Sequence, residues 1–439
     1  MSRMRHSKGQ LQIKKIAVDK NELKIKIRKR AVFEKTDIYD YMLALLFIPF
    51  LPTFVSRIVD IPYWGGICYF IIFVSDLYFL ASFREFNKNV GITLLFFSYF
   101  FVITVFREPE DTMNCLLRTF TGVSFVILME YIFLSRNKRR SISVLMYAME
   151  LFHYINLFFM LRYPNGMYKV LTNGIYEQVV KVDAGSARTA SRVLWLLGHQ
   201  TMLIRFTLPA ICIALVYCYR KEGRFQWNIR SVLLILACLI ETIKANSAGN
   251  YLGLAIFFGF IVLYRFRTRI KMYYLYPIIG VAYGYFAAAS EELNIFSWLS
   301  SRMQRSVQIS TRVPIWINAF KCWLQKPVFG WGYINESSSR IREMLSLGNP
   351  HSTYLWALFE GGIIGILLLI FYLQYFGRKI NGYWDSKLAQ IIYAAFICLV
   401  CCMIDDDHIF RAPFFLIIFS LTYHIPELVK TLDNGGGNL

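Results

Sequence analysis

The chain has 439 residues, 56% of them hydrophobic and 17% aromatic, with only 17% charged. That is too apolar for a soluble globular protein. The formal charge of +20 would point to nucleic acid in a soluble chain. Here the basic residues gather in segments between apolar runs and report topology instead.

Residues 1–36 form a basic tail with twelve Lys and Arg, mixed with apolar residues as in Leu23-Lys24-Ile25-Lys26-Ile27-Arg28. Such a tail suits anionic headgroups or the docking of a cytoplasmic partner. No cleavable signal peptide is visible, since the first apolar run starts near Tyr41, after a tail too long for an n-region. A crossing helix needs roughly 20 apolar residues, down to about 17. That length predicts twelve spans, near 38–56, 61–82, 90–106, 115–134, 141–162, 201–219, 230–245, 249–265, 272–290, 352–376, 388–404 and 409–425. The first, third, seventh and last are short for a full crossing, and the seventh carries Glu241 and Lys244.

Charge between the spans sets their direction. On the side of the basic tail lie Arg84 and Lys88, Arg136 to Arg140, Arg220 to Arg230, Arg265 to Lys271, and Arg378 to Lys387. The short loops opposite hold Arg57, Arg107 and Arg411 beside Glu108, Glu110, Asp111 and Asp405 to Asp407. The expected fold is therefore an all-α integral membrane protein of about twelve transmembrane helices, with both termini cytoplasmic. Its membrane domain spans 37–426, two long extracytoplasmic loops cover about 163–200 and 291–350, and 427–439 is a flexible tail. A half-chain repeat, which a twelve-span secondary transporter predicts, is not visible.

Cysteine gives no disulfide framework. Cys68, Cys212, Cys218, Cys238, Cys398, Cys401 and Cys402 fall inside apolar runs, where the residue acts as a small hydrophobe. The Cys398-x-x-Cys401-Cys402 cluster has no histidine nearby at ligand spacing. Only Cys115 and Cys322 are placed to face an oxidising compartment.

Ionisable side chains inside spans are expensive and mark function or pairing. Arg118, Arg162, Arg205, Lys244 and His351 all fall within roughly 8 Å of the outer interface at the helical rise. Each alone reads equally well as a snorkelling end residue. Together they outline a cationic basin for an anionic, membrane-held ligand, with Arg favoured for phosphate by its planar fork. Acidic Asp76, Glu130, Glu150, Glu241 and Glu360 also lie in the spans. Glu150, three residues before His153, is placed to satisfy it on one helix face.

The second long loop carries Ser310-Thr311-Arg312, Trp316, Ala319-Phe320 and Lys326-Pro327-Val328-Phe329-Gly330-Trp331-Gly332. Apolar residues from Arg312 to Lys326 fall at helical spacing, which predicts a helix flat on the membrane and ended by Pro327. Then come Pro350-His351-Ser352-Thr353-Tyr354-Leu355 and Glu360-Gly361-Gly362-Ile363-Ile364-Gly365. This arrangement over about 230–380 resembles the C-terminal block of the O-antigen and capsular polysaccharide polymerases and the related O-antigen ligases. Ser352 stands where that family usually has Asn. The segment from Arg192 through Gly198 and His199 to Thr201 is similar to a divergent second motif. In Asn246-Ser247-Ala248-Gly249-Asn250 the family's arginine is missing, and Lys244 is the nearest cation.

The resemblance implies a glycosyltransferase in the bacterial inner membrane. Its substrates would be oligosaccharides linked to undecaprenyl pyrophosphate, with membrane lipids around it and flippase and chain-length regulator proteins as partners. It implies catalytic roles for His351 and Arg312. Arg192, His199, Arg205, Lys244, Arg118 and Asp406 are expected to bind substrate. No metal, cofactor or nucleic acid is expected, since the arginines can stabilise the leaving group. Asp405 to Asp407 with His408 read either as a solvated turn or as a site for a cation or sugar hydroxyls. A ligase with a lipid A core acceptor is the alternative reaction.

Overall fold

The structure is a computed structural model that describes residues 38–83, 85, 87–170, 176–178, 193–220, 224–266, 269–280, 308–336, 338–345, 350–404 and 413–432. It is mostly helical. The helices are α1 Ile38–Leu45, α2 Pro52–Ser56, α3 Trp64–Ser82, α4 Lys88–Arg107, α5 Thr112–Ser135, α6 Lys138–Arg162, α7 Ile204–Cys218, α8 Ile229–Ala245, α9 Ala248–Arg265, α10 Gln308–Gln325, α11 Ser339–Leu345, α12 Thr353–Gly377, α13 Lys387–Cys402, α14 Leu416–Tyr423 and α15 Ile425–Leu432. Among the described residues, seven helical segments are long and apolar enough to cross a membrane. They are Trp64–Ser82, Lys88–Arg107, Pro109–Ser135, Lys138–Arg162, Gln200–Cys218, Ala248–Arg265 and Thr353–Ile380. A pair bent by 60°, Pro413–Tyr423 with Ile425–Leu432, makes an eighth if it is one span.

Helix is present at each of the twelve positions expected from sequence, with informative departures. The stretch 38–56 is broken into α1, a short 3-10 turn Ile48–Phe50 and α2, where Pro49 and Pro52 remove backbone donors. Of 272–290, only the part up to residue 280 lies within the described residues. The last expected span turns at His424 and continues as α15, so the tail expected from 427 starts inside a helix whose Leu428 and Leu432 are buried. The 16-residue α13 is too short to pass as a span alone, yet its middle is almost wholly enclosed. It packs against α7, α9 and α14 and forms the centre of the bundle.

The loop 163–200 departs from an all-α fold. It contains a small antiparallel sheet, order β2-β1-β3-β4, from β1 Tyr168–Val170, β2 Tyr176–Gln178, β3 Val193–Trp195 and β4 Gly198–His199. A separate hairpin joins β5 Tyr219–Arg220 to β6 Arg224–Phe225.

The bundle has two chemically different ends. At one, the Arg140 guanidinium donates to Asp40 at 2.9 and 3.1 Å, Arg136 flanks the same carboxylate, and Lys138 pairs with Glu427 of α15. Buried Glu130 is held there by Asn87, Asn89 and His424. The first and last described helices thus meet at the same basic end. The opposite end gathers the C-termini of α4, α6, α8 and α13 and the N-termini of α5, α7, α9 and α12, and it carries the motif loops.

Candidate active site at the loop end of the bundle

The helix expected after Arg312 is present as α10, ending at Gln325 just before Pro327. Beyond it the Gly-rich turn lies against a break in α12. Gly362, inside α12, has φ 63° and ψ −157°, a region open to glycine and strained for other residues. The break frees peptide groups that the turn takes up. The Trp331 N–H donates to the Phe359 carbonyl and the Gly332 N–H to that of Glu360, both at 2.9 Å. The Ile363 N–H donates back to the Pro327 carbonyl at 2.9 Å, and Ile364 to Val328 at 3.3 Å. A Cβ on Gly330 would lie 2.5 Å from the Glu360 carbonyl, and one on Gly362 would lie 2.3 Å from the Val328 oxygen. Two motifs separate in sequence are one backbone seam in space.

This end of the bundle holds two kinds of group. The first is an ion pair. The Arg118 guanidinium donates to both oxygens of Glu360, Nη1 to Oε1 at 2.9 Å and Nη2 to Oε2 at 2.7 Å. Glu360 is fully buried and Arg118 nearly so. Arg118 also lies over the Tyr333 ring, 4.5 Å from its centroid. The expectation of Arg118 as a cation open to phosphate meets a bidentate carboxylate, the arrangement in which guanidinium binding is strongest. Burial pushes the Tyr333 hydroxyl up to about 12, so it is a donor throughout the physiological range. Its backbone N–H is anchored on Thr104 Oγ1, and that of Asn335 on Asp111 Oδ2.

The second is His351. Its φ of 46° places it in the left-handed region, uncommon for a residue with a side chain and concentrated at functional sites. Ser352 follows as N-cap of α12, accepting from the Leu355 N–H at 3.4 Å and donating to the Met403 carbonyl at 3.4 Å. A hydroxyl therefore does the local work here without an amide. The Thr353 N–H also reaches Met403, at 3.0 Å. On the other side, the Trp316 indole donates to the Pro350 carbonyl at 2.8 Å. Arg312 sits four residues before Trp316, one turn earlier on α10; its side chain lies outside the described part.

The first motif loop is held beside this end. Arg57 Nη1 donates to the carbonyls of Trp195 and Leu196 at 2.7 and 2.6 Å. The Trp195 indole donates to Tyr163, and the Leu197 N–H to Asn156 Oδ1. His199 Nδ1 accepts from the Thr201 N–H at 3.2 Å. Asn250 then ties this segment to α9, accepting from the Ile204 N–H at 3.0 Å and donating to the Gln200 carbonyl at 2.7 Å. Arg205, in the first turn of α7, is 2% exposed. Lys244, in the last turn of α8, is exposed. Arg192 and Asp406, with Asp405, Asp407 and His408, lie outside the described residues. Arg57, Asn156 and Asn250 were not singled out from sequence. Asn250 lay inside a quoted motif, but the partners of all three are 41 to 139 positions away.

Other sequence expectations are corrected by geometry. Glu150 does not satisfy His153; it pairs with Arg230 of α8. His153 Nδ1 lies 2.6 Å from Glu241 Oε2, whose other oxygen accepts from Asn156 at 2.8 Å. Glu241, which weakened the reading of α8 as a span, is thus neutralised across the bundle. Cys238 lies against this pair, and the three ligand atoms fall within 4.8 Å of one another. The 2.6 Å contact is a hydrogen-bond length, and the cluster reads as a buried ion pair. Cys115 and Cys322 are buried free thiols rather than groups facing an oxidising space. Cys398 Sγ donates to the Gly253 carbonyl at 3.0 Å, a packing contact between α13 and α9.

A cavity of about 350 Å³ opens next to the seam, between α5, the 333–336 loop and the first turns of α12. Its walls include Tyr69, Asn114, Arg118, Tyr333, Glu336 and Trp356.

Residues 229–370 match the family model described as O-antigen ligase. The match runs from α8 to the middle of α12 and takes in Lys244, Arg312, His351 and Glu360, while Arg118, Arg192, His199, Arg205 and Asp406 fall outside it. No curated protein matches the chain. Over residues 229–370 the chain is similar to the O-antigen ligase family, and its long apolar helices are those of a multi-helix membrane protein.

Proposed function

We propose that this protein is a polysaccharide polymerase of the bacterial plasma membrane. It takes a growing glycan from undecaprenyl pyrophosphate and passes it to a lipid-linked repeat unit at the outer face. The observation that carries this reading is the placement of His351. It is held in a strained backbone conformation between α10, which Trp316 ties to Pro350, and the C-terminus of α13, which Met403 ties to Thr353.

The chemistry follows from the groups available. A sugar hydroxyl of the incoming unit attacks the anomeric carbon, whose bond to the pyrophosphate oxygen breaks. The hydroxyl proton passes to the neutral His351 imidazole, and undecaprenyl pyrophosphate leaves with the bonding electrons. Imidazole suits the first task because it is unprotonated in part near neutral pH. Arg312 with Arg205 suits the second, since fixed guanidinium groups in a partly dry site stabilise charge that develops on the leaving group. Arg205 is buried in the first turn of α7, which keeps water from screening it. Arg192, His199, Lys244 and Asp406 remain in this reading as groups contacting the lipid-linked substrates.

The topology of the reading is twelve spans with both termini cytoplasmic. The meeting of α1 and α15 at the basic end supports it. The matched family is described by the ligase reaction, which differs in acceptor, so the test must separate the two. Purified full-length protein in nanodiscs is given undecaprenyl-pyrophosphate repeat units and the products are resolved by gel. A ladder longer than one unit establishes polymerisation. Transfer only after addition of a lipid A core acceptor establishes the ligase instead.

A further inference from the structure

We propose that Trp316 is a positioning residue for the transfer reaction. Its indole N–H, bonded to the Pro350 carbonyl, holds the peptide from which the His351 imidazole is aimed, and so ties the base to the helix that carries Arg312. This rests on the glycosyl-transfer reading above and adds what keeps its base in place.

His351 lies between two anchored pieces of chain. After it, the N-terminus of α12 is held on the end of α13. The Thr353 N–H donates to the Met403 carbonyl at 3.0 Å, the Ser352 hydroxyl to the same carbonyl at 3.4 Å, and the Tyr354 hydroxyl to the Val400 carbonyl at 2.8 Å. Before it, the Trp316 Nε1 donates to the Pro350 carbonyl at 2.8 Å in a buried contact. That carbonyl belongs to the peptide joining Pro350 to His351, and φ of His351 is the rotation next to this peptide. With one side held on α13 and the other on α10, φ stays at 46°. Strained conformations persist where the surroundings over-determine them. Releasing the Pro350 peptide would let φ relax and swing the Cα–Cβ bond of His351 to a new direction.

The strut that makes this hold is α10 itself. Ile315, Trp316, Ala319 and Cys322 are buried and share one helical face. The C-terminal end of α10 is fixed to the Gly-rich turn, where the Trp331 indole donates to the Cys322 carbonyl at 2.8 Å and the Trp323 indole to the Pro327 carbonyl at 2.9 Å. Trp316 stands one turn after Arg312. One rigid element thus carries both the cation assigned to the leaving group and the donor that orients the peptide of the base. An indole suits the task, since its N–H donates only and lies in the plane of a rigid ring. Buried indoles usually find an acceptor. What gives this one a role is the place of its acceptor, one peptide before the strained residue.

The test uses full-length protein in nanodiscs. Trp316→Phe deletes the donor and keeps an aromatic ring, and Trp323→Phe, which deletes another indole donor of α10, is the control. The first readout needs no turnover. The protein is made with isotope-labelled histidine, and the His351 Cα signal is identified by its loss in His351→Ala. Because the Cα chemical shift follows the backbone dihedrals, we expect this signal to move in Trp316→Phe and to stay in Trp323→Phe. The second readout is transfer between lipid-linked substrates. We expect Trp316→Phe to lower kcat about 10- to 100-fold, as for a misplaced catalytic group, with the KM of each substrate unchanged. In the His351→Ala background the same substitution should change the residual rate less than about twofold, since residues acting as one unit are not additive. An unmoved His351 signal, an unchanged kcat, a loss confined to KM, or an equal loss in the His351→Ala background each overturns the positioning role. Failure of the glycosyl-transfer reading looks different: the wild type forms no product with a lipid-linked or lipid A core acceptor, while the His351 signal still moves in Trp316→Phe.

Discussion

A methyl group added to Gly362 would meet the Val328 carbonyl oxygen at 2.3 Å, and φ there is 63°. Neither the space nor the backbone conformation admits alanine. Gly362→Ala should therefore destabilise the protein by at least about 1–3 kcal/mol, seen as a lower melting temperature in detergent by tryptophan fluorescence. Gly382, also at positive φ but with nothing near a built Cβ, is the control; alanine there should cost only the backbone strain. At the chemical centre, His351→Ala and Arg312→Ala should each leave folded, inserted protein, the first lowering polymer output by about 100- to 10,000-fold as for loss of a general base and the second by about 100- to 1,000-fold as for loss of one group that stabilises developing charge. Unchanged chain length on a polymer gel would remove that residue from the mechanism. The glycines and His351 were legible in the sequence because turn residues and a lone ionisable group stand out against apolar helix. The meaning of Arg118 was not. Its partner lies 242 positions away, and a buried guanidinium looks the same in sequence whether it awaits a phosphate or already holds a carboxylate.

The helices show the same division between local signal and distant pairing. Among the described residues, apolar length placed helix within each expected stretch, and seven segments are long and apolar enough to cross, since hydrocarbon-length runs are a local property. It misjudged where prolines interrupt, at Pro49 and Pro52, and where α14 turns into α15 at His424. It also read Glu241 as a flaw in α8, when the flaw is cancelled by His153 and Asn156 on α6. The bridge between α5 and α12 makes a quantitative test. Breaking one half of a buried pair leaves a charge without compensation and costs about 3–5 kcal/mol. Glu360→Gln and Arg118→Met should each be strongly destabilising, while the double variant should be markedly less so than their sum. Additive losses in a double-mutant cycle of thermal stability would mean that the two side chains do not act together.

Across the whole molecule, the two ends differ in a way that labelling can read. The end with Asp40, Arg136, Lys138 and Arg140 is the expected cytoplasmic one. A cysteine at position 139 should resist an impermeant maleimide in intact spheroplasts, while one at position 337, next to Glu336, should react. The opposite pattern would invert the molecule and remove the outer-face reading altogether. The nine native cysteines are buried or partly so, which keeps the background low. The expected orientation comes from charge asymmetry alone, which depends only on composition between spans. The small sheet in 163–200 was not legible, being built from strands of two or three residues, too short for any alternation of side chains to register.

The four hydrogen bonds that join the Gly-rich turn to the break in α12 run between peptide groups, with the Tyr99 hydroxyl and the Trp323 indole donating to the Gly361 and Pro327 carbonyls beside them. A joint of that kind is blind to most of the alphabet. Val328 and Phe329, both exposed, can drift to other residues without altering which N–H meets which carbonyl, provided Gly330 and Gly362 stay and the turn keeps its length. Insertions and deletions should accordingly not be tolerated between 327 and 332. Chains of very different side-chain composition can therefore share this architecture, and the spacing of a few glycines would be a better guide to their kinship than overall identity.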